Sequence, residues 1–370
     1  MRTILFISIV QSILFLGHWF FYRTLVRFFG LANPSAPLVL RAAMVLLSVS
    51  LVATSFLAFR FSNLPVRFLY AGAASWLGIL YILILASILC WIFYGLAVLF
   101  HLPLNQKILI EILIAVALMA SIYGFINGGM IRTTRMSLQL PGLPNQWKDK
   151  TAVWVSDTHL GQVRNYGFAQ QIAKMVQNLH PDIVFIGGDL YDGVAVDLDK
   201  VIEPFSRISA PYGIYFITGN HEEFSDNTHY LQAIRRAGIR ILYNEKVDLD
   251  GLQIIGVDYR DSRNENQFKT ILQKMGIDRG KPSILLKHSP FDLEVAKEEG
   301  ISLQLSGHTH QGQVFLFRMI TSRVYRGYDY GLKWFGDLLV YTSSGAGTWG
   351  PPMRLDTKPE IVVIKFIPSG

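Results

Sequence analysis

Four long apolar stretches open the chain, at roughly 3–22, 37–59, 70–100 and 108–130. Each is near or above the about 20 residues a helix needs to cross a bilayer, so the pattern predicts a transmembrane domain of four helices over residues 1–130. The first stretch ends in Phe20-Phe21-Tyr22-Arg23 with no small-x-small cleavage site, and reads as an anchor, not a leader. Trp19, Tyr22, Trp91 and Tyr94 are candidates for aromatics at the lipid–water boundary. Gln11, His18 and Glu111 interrupt the apolar runs. Glu111 lies close enough to a helix end to reach headgroups, and Gln11 and His18 can pair across helices, so structural roles are expected for all three.

The pattern changes at residue 131. Residues 131–150 hold Arg132, Arg135, Pro141, Gly142, Pro144, Asn145, Lys148 and Lys150, and read as a linker with a short edge strand at 136–140. From Thr151 to the end, short β-branched and aromatic runs (152–155, 183–186, 213–217, 284–286, 303–305, 338–341 and 361–366) alternate with loops and with helical stretches at 168–179 and 228–237. Such alternation predicts an α/β layered domain over 151–370, with its ligand beyond the carboxyl ends of the strands.

Composition agrees with a membrane-bound half and a folded half. Mean hydropathy is +0.32 and only 16% of residues are charged, too apolar for an ordinary soluble chain. The net charge of +7 comes from dispersed Arg and Lys, several of them flanking apolar segments, which fits anionic lipid and not nucleic acid. The only cysteine, Cys90, excludes an intrachain disulfide and a thiolate metal cluster. Arg2, Arg60, Arg67, Arg132 and Arg135 fall on one side of four crossings, and Arg23, Arg27, Arg41 and Lys107 on the other. Adding Lys148 and Lys150 places both termini and the C-terminal domain in the cytoplasm, on an inner, multi-pass membrane protein.

The chemistry sits at strand ends. An apolar strand runs into Ile186-Gly187-Gly188-Asp189, where glycines lift one carboxylate clear, so that it can bridge two cations. Polar groups recur at matching places: Ser156-Asp157-Thr158-His159, Asp189-Leu190-Tyr191-Asp192, Gly219-Asn220-His221-Glu222, Lys287-His288-Ser289-Pro290 and Gly307-His308-Thr309-His310. Any one histidine after a strand is an ordinary loop residue; five such ends in one domain point to a metal pair. Carboxylates, imidazoles and one amide oxygen, without thiolate, suit Mn²⁺ foremost, or Fe or Zn²⁺. Two such cations can clamp a phosphoryl group and activate a water, so hydrolysis of a phosphate ester or anhydride is the expected reaction.

The ordered set D-x-H, G-D-x-x-D, G-N-H-[D/E], H and G-H-x-H resembles the calcineurin-like metallophosphoesterase superfamily, over residues from about 151 to 370, including Gly345-Ala346-Gly347 and Pro359-Glu360-Ile361. The resemblance implies a two-sheet sandwich flanked by helices. It implies one metal on Asp157, His159, Asp189 and His310 and a second on Asp189, Asn220, His288 and His308. It further implies that His221 is the catalytic histidine that binds no metal, protonating the leaving group or stabilising phosphoryl charge, while Asp192 and Glu222 orient histidines. The bacterial membrane-anchored phosphodiesterase branch is similar, and usually reads G-H-T-H-G-G-Q; here Gln311 replaces the first of those two glycines.

Between His310 and the 338–341 strand, cations interleave with aromatics, and Arg323, Arg326, Lys333 and Trp334 are candidate substrate contacts; the alternative is a snorkelling face at the bilayer surface. Four spans favour an amphiphilic substrate that arrives along the membrane. Some superfamily members hydrolyse the pyrophosphate of UDP-2,3-diacylglucosamine, in lipid A biosynthesis, and a nucleotide-linked or otherwise phosphorylated lipid is the expected substrate class. The alternatives are a broad-specificity envelope phosphodiesterase or phosphatase and, from another class, a receptor or scaffold whose hydrolase-like domain only binds. No basic groove suggests nucleic acid, and no obligate protein partner is implied.

Overall fold

The computed structural model describes residues 2–31, 35–224 and 226–367. The chain divides into two compact units, Met1–Ile126 with Gly350–Met353, and Asn127–Trp349 with Arg354–Gly370.

The first unit is helical: α1 (Arg2–Phe29), α2 (Ser35–Ala58), α3 (Leu64–Leu99) and α4 (Gln106–Gly129). All four are long and apolar enough to cross a membrane. Side chains such as Phe6, Leu46 and Phe68 are exposed, as expected where lipid is the solvent. The three polar residues that interrupt the apolar runs find partners inside the unit. Gln11 donates to the Ser48 carbonyl at 3.0 Å, His18 accepts from the Trp76 indole at 2.9 Å, and Glu111 lies 4.0 Å from Lys107 one turn earlier. The boundary of the first span differs from the sequence reading. α1 runs on to Phe29, so Arg23 and Arg27 are helical, not loop charges, and Arg27 donates to the Tyr94 hydroxyl at 2.9 Å. A long side chain on the last turns can carry its charge outward while its stem stays apolar, which is why the helix passes two arginines. With 36 residues, α3 spans about 54 Å at 1.5 Å per residue, well beyond a hydrocarbon core of about 30 Å.

The second unit is a sandwich of two six-stranded sheets. Its strands are β1 (Arg132–Leu138), β2 (Thr151–Val155), β3 (Ile183–Ile186), β4 (Ile214–Phe216), β5 (Arg240–Ile241), β6 (Glu245–Leu249), β7 (Leu252–Gly256), β8 (Ser283–Leu286), β9 (Leu303–Ser306), β10 (Gly331–Phe335), β11 (Leu338–Thr342) and β12 (Glu360–Phe366). The first sheet has the order β1-β12-β2-β3-β4-β5 and the second β10-β11-β9-β8-β7-β6. The central neighbours β2–β5 and β7–β9 with β11 pair in parallel. Helices α5 (Tyr166–Gln177), α6 (Leu198–Ile202), α7 (Thr228–Arg236), α8 (Glu265–Lys274), α9 (Leu293–Glu298) and α10 (Phe317–Val324) complete the unit.

The two-residue period of the strands sorts their side chains between layers. Val153, Val155, Val184 and Ile186 pack outward with Phe168, Ile172 and Ile234 of α5 and α7. Trp154, Ile183 and Phe185 face inward, onto Ile254, Ile284, Leu286 and Leu305 of the other sheet. Leu285 and Ile255 cover the far side with Phe268 and Leu272 of α8. Residues 131–150, read from the sequence as a linker, carry a whole strand. β1 pairs in parallel with β12 from Arg132 to Leu138, four residues earlier than expected, and Leu138, Leu140 and Trp147 enter the inter-sheet core. Its alternating burial buries only Leu138 fully, so the apolar signal is confined to the last residues of the strand, where the sequence reading placed it.

Candidate metal centre

The site forms at the carboxyl ends of β2, β3, β4, β8 and β9, where each parallel strand stops and the chain turns sharply. The turns demand unusual backbone. Asp157, His159, Asp189, His308 and His310 all adopt left-handed φ, from 48° to 70°. That region is open to few residues other than glycine, and Asp and His are among those that enter it most readily. Gly188 has φ +83°, and a Cβ there would lie 2.6 Å from the Gly219 backbone nitrogen. At Gly307 a Cβ would sit 2.2 Å from Asp157 Oδ2. Gly188 lets two backbone turns close on each other and Gly307 admits the Asp157 carboxylate, where any side chain would block.

The structure brings the seven candidate ligands into one cluster around Asp189. His159 Nε2 and His310 Nε2 face each other at 3.0 Å, and lie 3.8 Å from Asp189 Oδ2 and Asp157 Oδ1 respectively. On the other side of Asp189, His288 Nε2 lies 3.3 Å from its Oδ2, 3.2 Å from Asn220 Oδ1 and 3.1 Å from His308 Nδ1. The ring nitrogens and carboxylate oxygens of Asp157, His159 and His310, and of Asp189, His288 and His308, each lie within 4.8 Å of one another. The set fits cations. Asp157 Oδ2 is buried without a hydrogen-bond partner among the described residues, an expensive state unless a cation meets it. His288 donates from Nδ1 to the Gly187 carbonyl at 2.7 Å, which turns Nε2 toward the cluster.

The electrostatics follow from burial and crowding. Burial pushes the Asp157 carboxyl up, whereas Asp189, despite the same burial, is held well below its ordinary value by the charge and hydrogen bond of His288, with His221 and His159 adding. Burial would depress His288, but Asp189 raises it to about 9. His308 falls to about 3 through burial and the neighbouring His288, and His310 falls through burial and His159.

The His221 ring meets that of His159 edge to face, with centroids 4.5 Å apart, and donates from Nδ1 to the Asp192 carbonyl at 2.9 Å. Burial and His159 lower its pKa, so the resting ring is neutral near pH 7 with its second nitrogen unprotonated. Asp192 orients two histidines, by its carboxylate 3.3 Å from His159 Nδ1 and by its carbonyl to His221. Glu222 does not orient a histidine, contrary to the expectation from resemblance. It accepts backbone N–H bonds from Gly219, Asp189 and Tyr191 at 2.8, 2.9 and 3.0 Å, tying the β3 and β4 turns together. The reason is its position one residue after His221, which turns the side chain beneath the loop. Burial and Asp189 push its carboxyl up to about 7.

The four expected substrate contacts point elsewhere. Arg326 faces Glu294 at 3.6 Å, Lys333 donates to the Gly327 carbonyl, Trp334 is exposed on β10, and Arg323 lies along a cleft with Phe315 and Met319. Of that stretch, Tyr325 comes nearest, its ring 6.3 Å from His308. Sequence reasoning missed Tyr259, 5.5 Å from His288, and Arg354, which is fully buried. The Arg354 guanidinium donates to the carbonyls of Ser344, Gly347 and His310 at 2.6, 2.8 and 3.1 Å, fixing the loop behind His310. A lone arginine after Pro351-Pro352-Met353 reads as surface charge, so no local pattern announced it.

A two-sheet sandwich that gathers carboxylates and imidazoles beyond its parallel strands is the architecture of a metallophosphoesterase domain. The chain belongs to the calcineurin-like phosphoesterase family, whose model matches residues 151–312. It is 31% identical to a metallophosphoesterase of Campylobacter jejuni over 70% of either chain, and 33% identical to one of Helicobacter pylori, over 60% of this chain and 61% of that one. It is also 29% identical to a Danio rerio "transmembrane protein with metallophosphoesterase domain", over 70% of this chain and 62% of that protein. The chain thus matches less than two thirds of the length of the Helicobacter relative. Proteins of the family normally hold two divalent metals, and the cluster supplies residues for both.

Proposed function

We propose that the protein is a membrane-held hydrolase of a phosphodiester or pyrophosphate bond in an amphiphilic substrate, with a nucleotide-linked lipid such as UDP-2,3-diacylglucosamine as the leading class. The observation that carries the reaction is the convergence on Asp189 of imidazole nitrogens from both sides, His159 at 3.8 Å and His288 at 3.3 Å. In this reading Asp157, His159, Asp189 and His310 hold one divalent ion and Asp189, Asn220, His288 and His308 the other, Mn²⁺ foremost. Bound there, the pair supplies Lewis-acid polarisation of the phosphoryl group and activation of a water. Asp189 keeps its charge and so can serve both ions. Asp192 holds His159 and His221 in orientation. His221 takes up a proton as the anionic substrate arrives, because a neighbouring negative charge raises an imidazole pKa, and passes it to the leaving oxygen.

Support for a lipid substrate comes from the four apolar helices and from α10, where Met319, Ile320 and Val324 are exposed beside Arg318 and Arg323. Apolar and cationic groups on one short helix suit a headgroup surface. The charge pattern of the flanking segments supports an inner-membrane protein with a cytoplasmic hydrolase unit. The test is incubation of the full chain with Mn²⁺ and UDP-2,3-diacylglucosamine. Release of UMP is expected; cleavage of bis(4-nitrophenyl) phosphate without UMP release would replace the lipid reading with a broad envelope phosphodiesterase.

A further inference from the structure

We propose that Arg260 and Arg263 form an anion subsite that takes a second phosphate of the substrate, so that the enzyme selects molecules with two linked phosphates; this rests on the hydrolase reading above. A cleft of about 260 Å³ runs from Asn220 and His308, at the metal cluster, past Tyr259 to Arg260 and Arg263. One wall of the cleft is therefore the cluster itself and the other is a pair of exposed guanidinium groups.

The loop that carries them is held in place. Thr218 Oγ1 accepts from the Tyr259 backbone N–H at 2.9 Å and donates to Asp258 at 2.8 Å, and Asn244 accepts from the Asp258 N–H at 2.9 Å. The nearby carboxylates are turned to other partners: Asp258 to Thr218, and Asp261 to Asn244 and Gln267 at 2.7 and 2.8 Å. Glu223 alone reaches the arginines, 2.8 Å from Arg260. Arg263 has its guanidinium 5.9 Å from the centre of the Tyr259 ring, and no carboxylate within ion-pair distance among the described residues. Arg263 thus presents a guanidinium with no ion-pair partner among the described residues at the mouth of a cleft that opens on the metal cluster. Planar guanidinium forks match the oxygens of a phosphate better than a point charge does, and two forks suit one tetrahedral group. The cations expected from the sequence, Arg326 and Lys333, are by contrast already engaged with Glu294 and the Gly327 carbonyl.

The experiment is calorimetric titration of the full chain in detergent, with Mn²⁺ present, comparing methylenediphosphonate with methylphosphonate. Wild type should bind the diphosphonate more tightly. Arg263→Gln and Arg260→Gln should each lower the ratio of the two affinities roughly tenfold, the scale of one charge-assisted contact. Arg263→Lys should keep part of it. Both side chains are exposed, so the variants should fold as wild type does. An unchanged ratio in both variants, or no diphosphonate preference in wild type, overturns the subsite. Hydrolysis of bis(4-nitrophenyl) phosphate by wild type reports separately on the hydrolase reading, since that substrate carries one phosphate.

Discussion

At the residue scale, the centre is a set of side chains that tolerate strained backbone and are held by neighbours that do not touch metal. Asp189→Asn should reduce the bound metal from about two ions per chain to about one or none, measured by elemental analysis. His221→Ala should keep its metal and lose about 10²–10⁴ in kcat. Asp192→Ala should cost roughly 10- to 100-fold in metal affinity, through the orientation of His159. Gln311 stands where the similar branch has glycine, and it adopts φ 52° and ψ 29°, a left-handed conformation that glycine takes without penalty. Gln311→Gly should therefore stabilise the protein by about 1 kcal/mol, read as a raised thermal midpoint. Glu223 gives a pH dependence. Burial and the Asp258 charge push its carboxyl from 4.5 up to about 7. Between those values the folded chain keeps a proton that the unfolded chain has lost, so stability falls as pH rises through that window. Glu223→Gln should flatten the slope of the thermal midpoint between pH 4.5 and 7.

At the scale of elements, the strand ends were legible because parallel strands buried on both faces read as unbroken apolar runs. β2, β3, β8, β9, β11 and β12 fall within a residue or so of their sequence bounds. The edge strands were legible only in part. β6, at the sheet edge and paired with β7 in a hairpin, carries Glu245, Lys246 and Asp248, and β1 opens with Arg132-Thr133-Thr134-Arg135 before Met136 and Leu138. One solvated face dilutes the apolar signal, and pairing supplies what the side chains do not. Trp147 shows that residues 131–150 carry weight, being fully buried and donating from its indole to the Leu249 carbonyl at 2.9 Å. Trp147→Ala should cost about 3–5 kcal/mol, seen as a lowered midpoint of unfolding.

For the whole molecule, the expected outcome is a protein that leaves the membrane only with detergent. A reporter fused to the C-terminus should be active on the cytoplasmic face alone, and activity on the opposite face would remove cytosolic nucleotide-lipids from the candidate substrates. Apolar length determined the four helices, and the order of Asp, Asn and His at strand ends determined the chemistry, because both are local properties written in consecutive residues. Which side chains meet was decided only by the folded chain: Glu222 beneath the Asp189 turn, Arg354 behind His310, Arg260 and Arg263 across from Asn220 and His308. Those contacts join positions from turns far apart in sequence, and their partners are largely backbone carbonyls and amides, which every residue carries and no sequence pattern can mark.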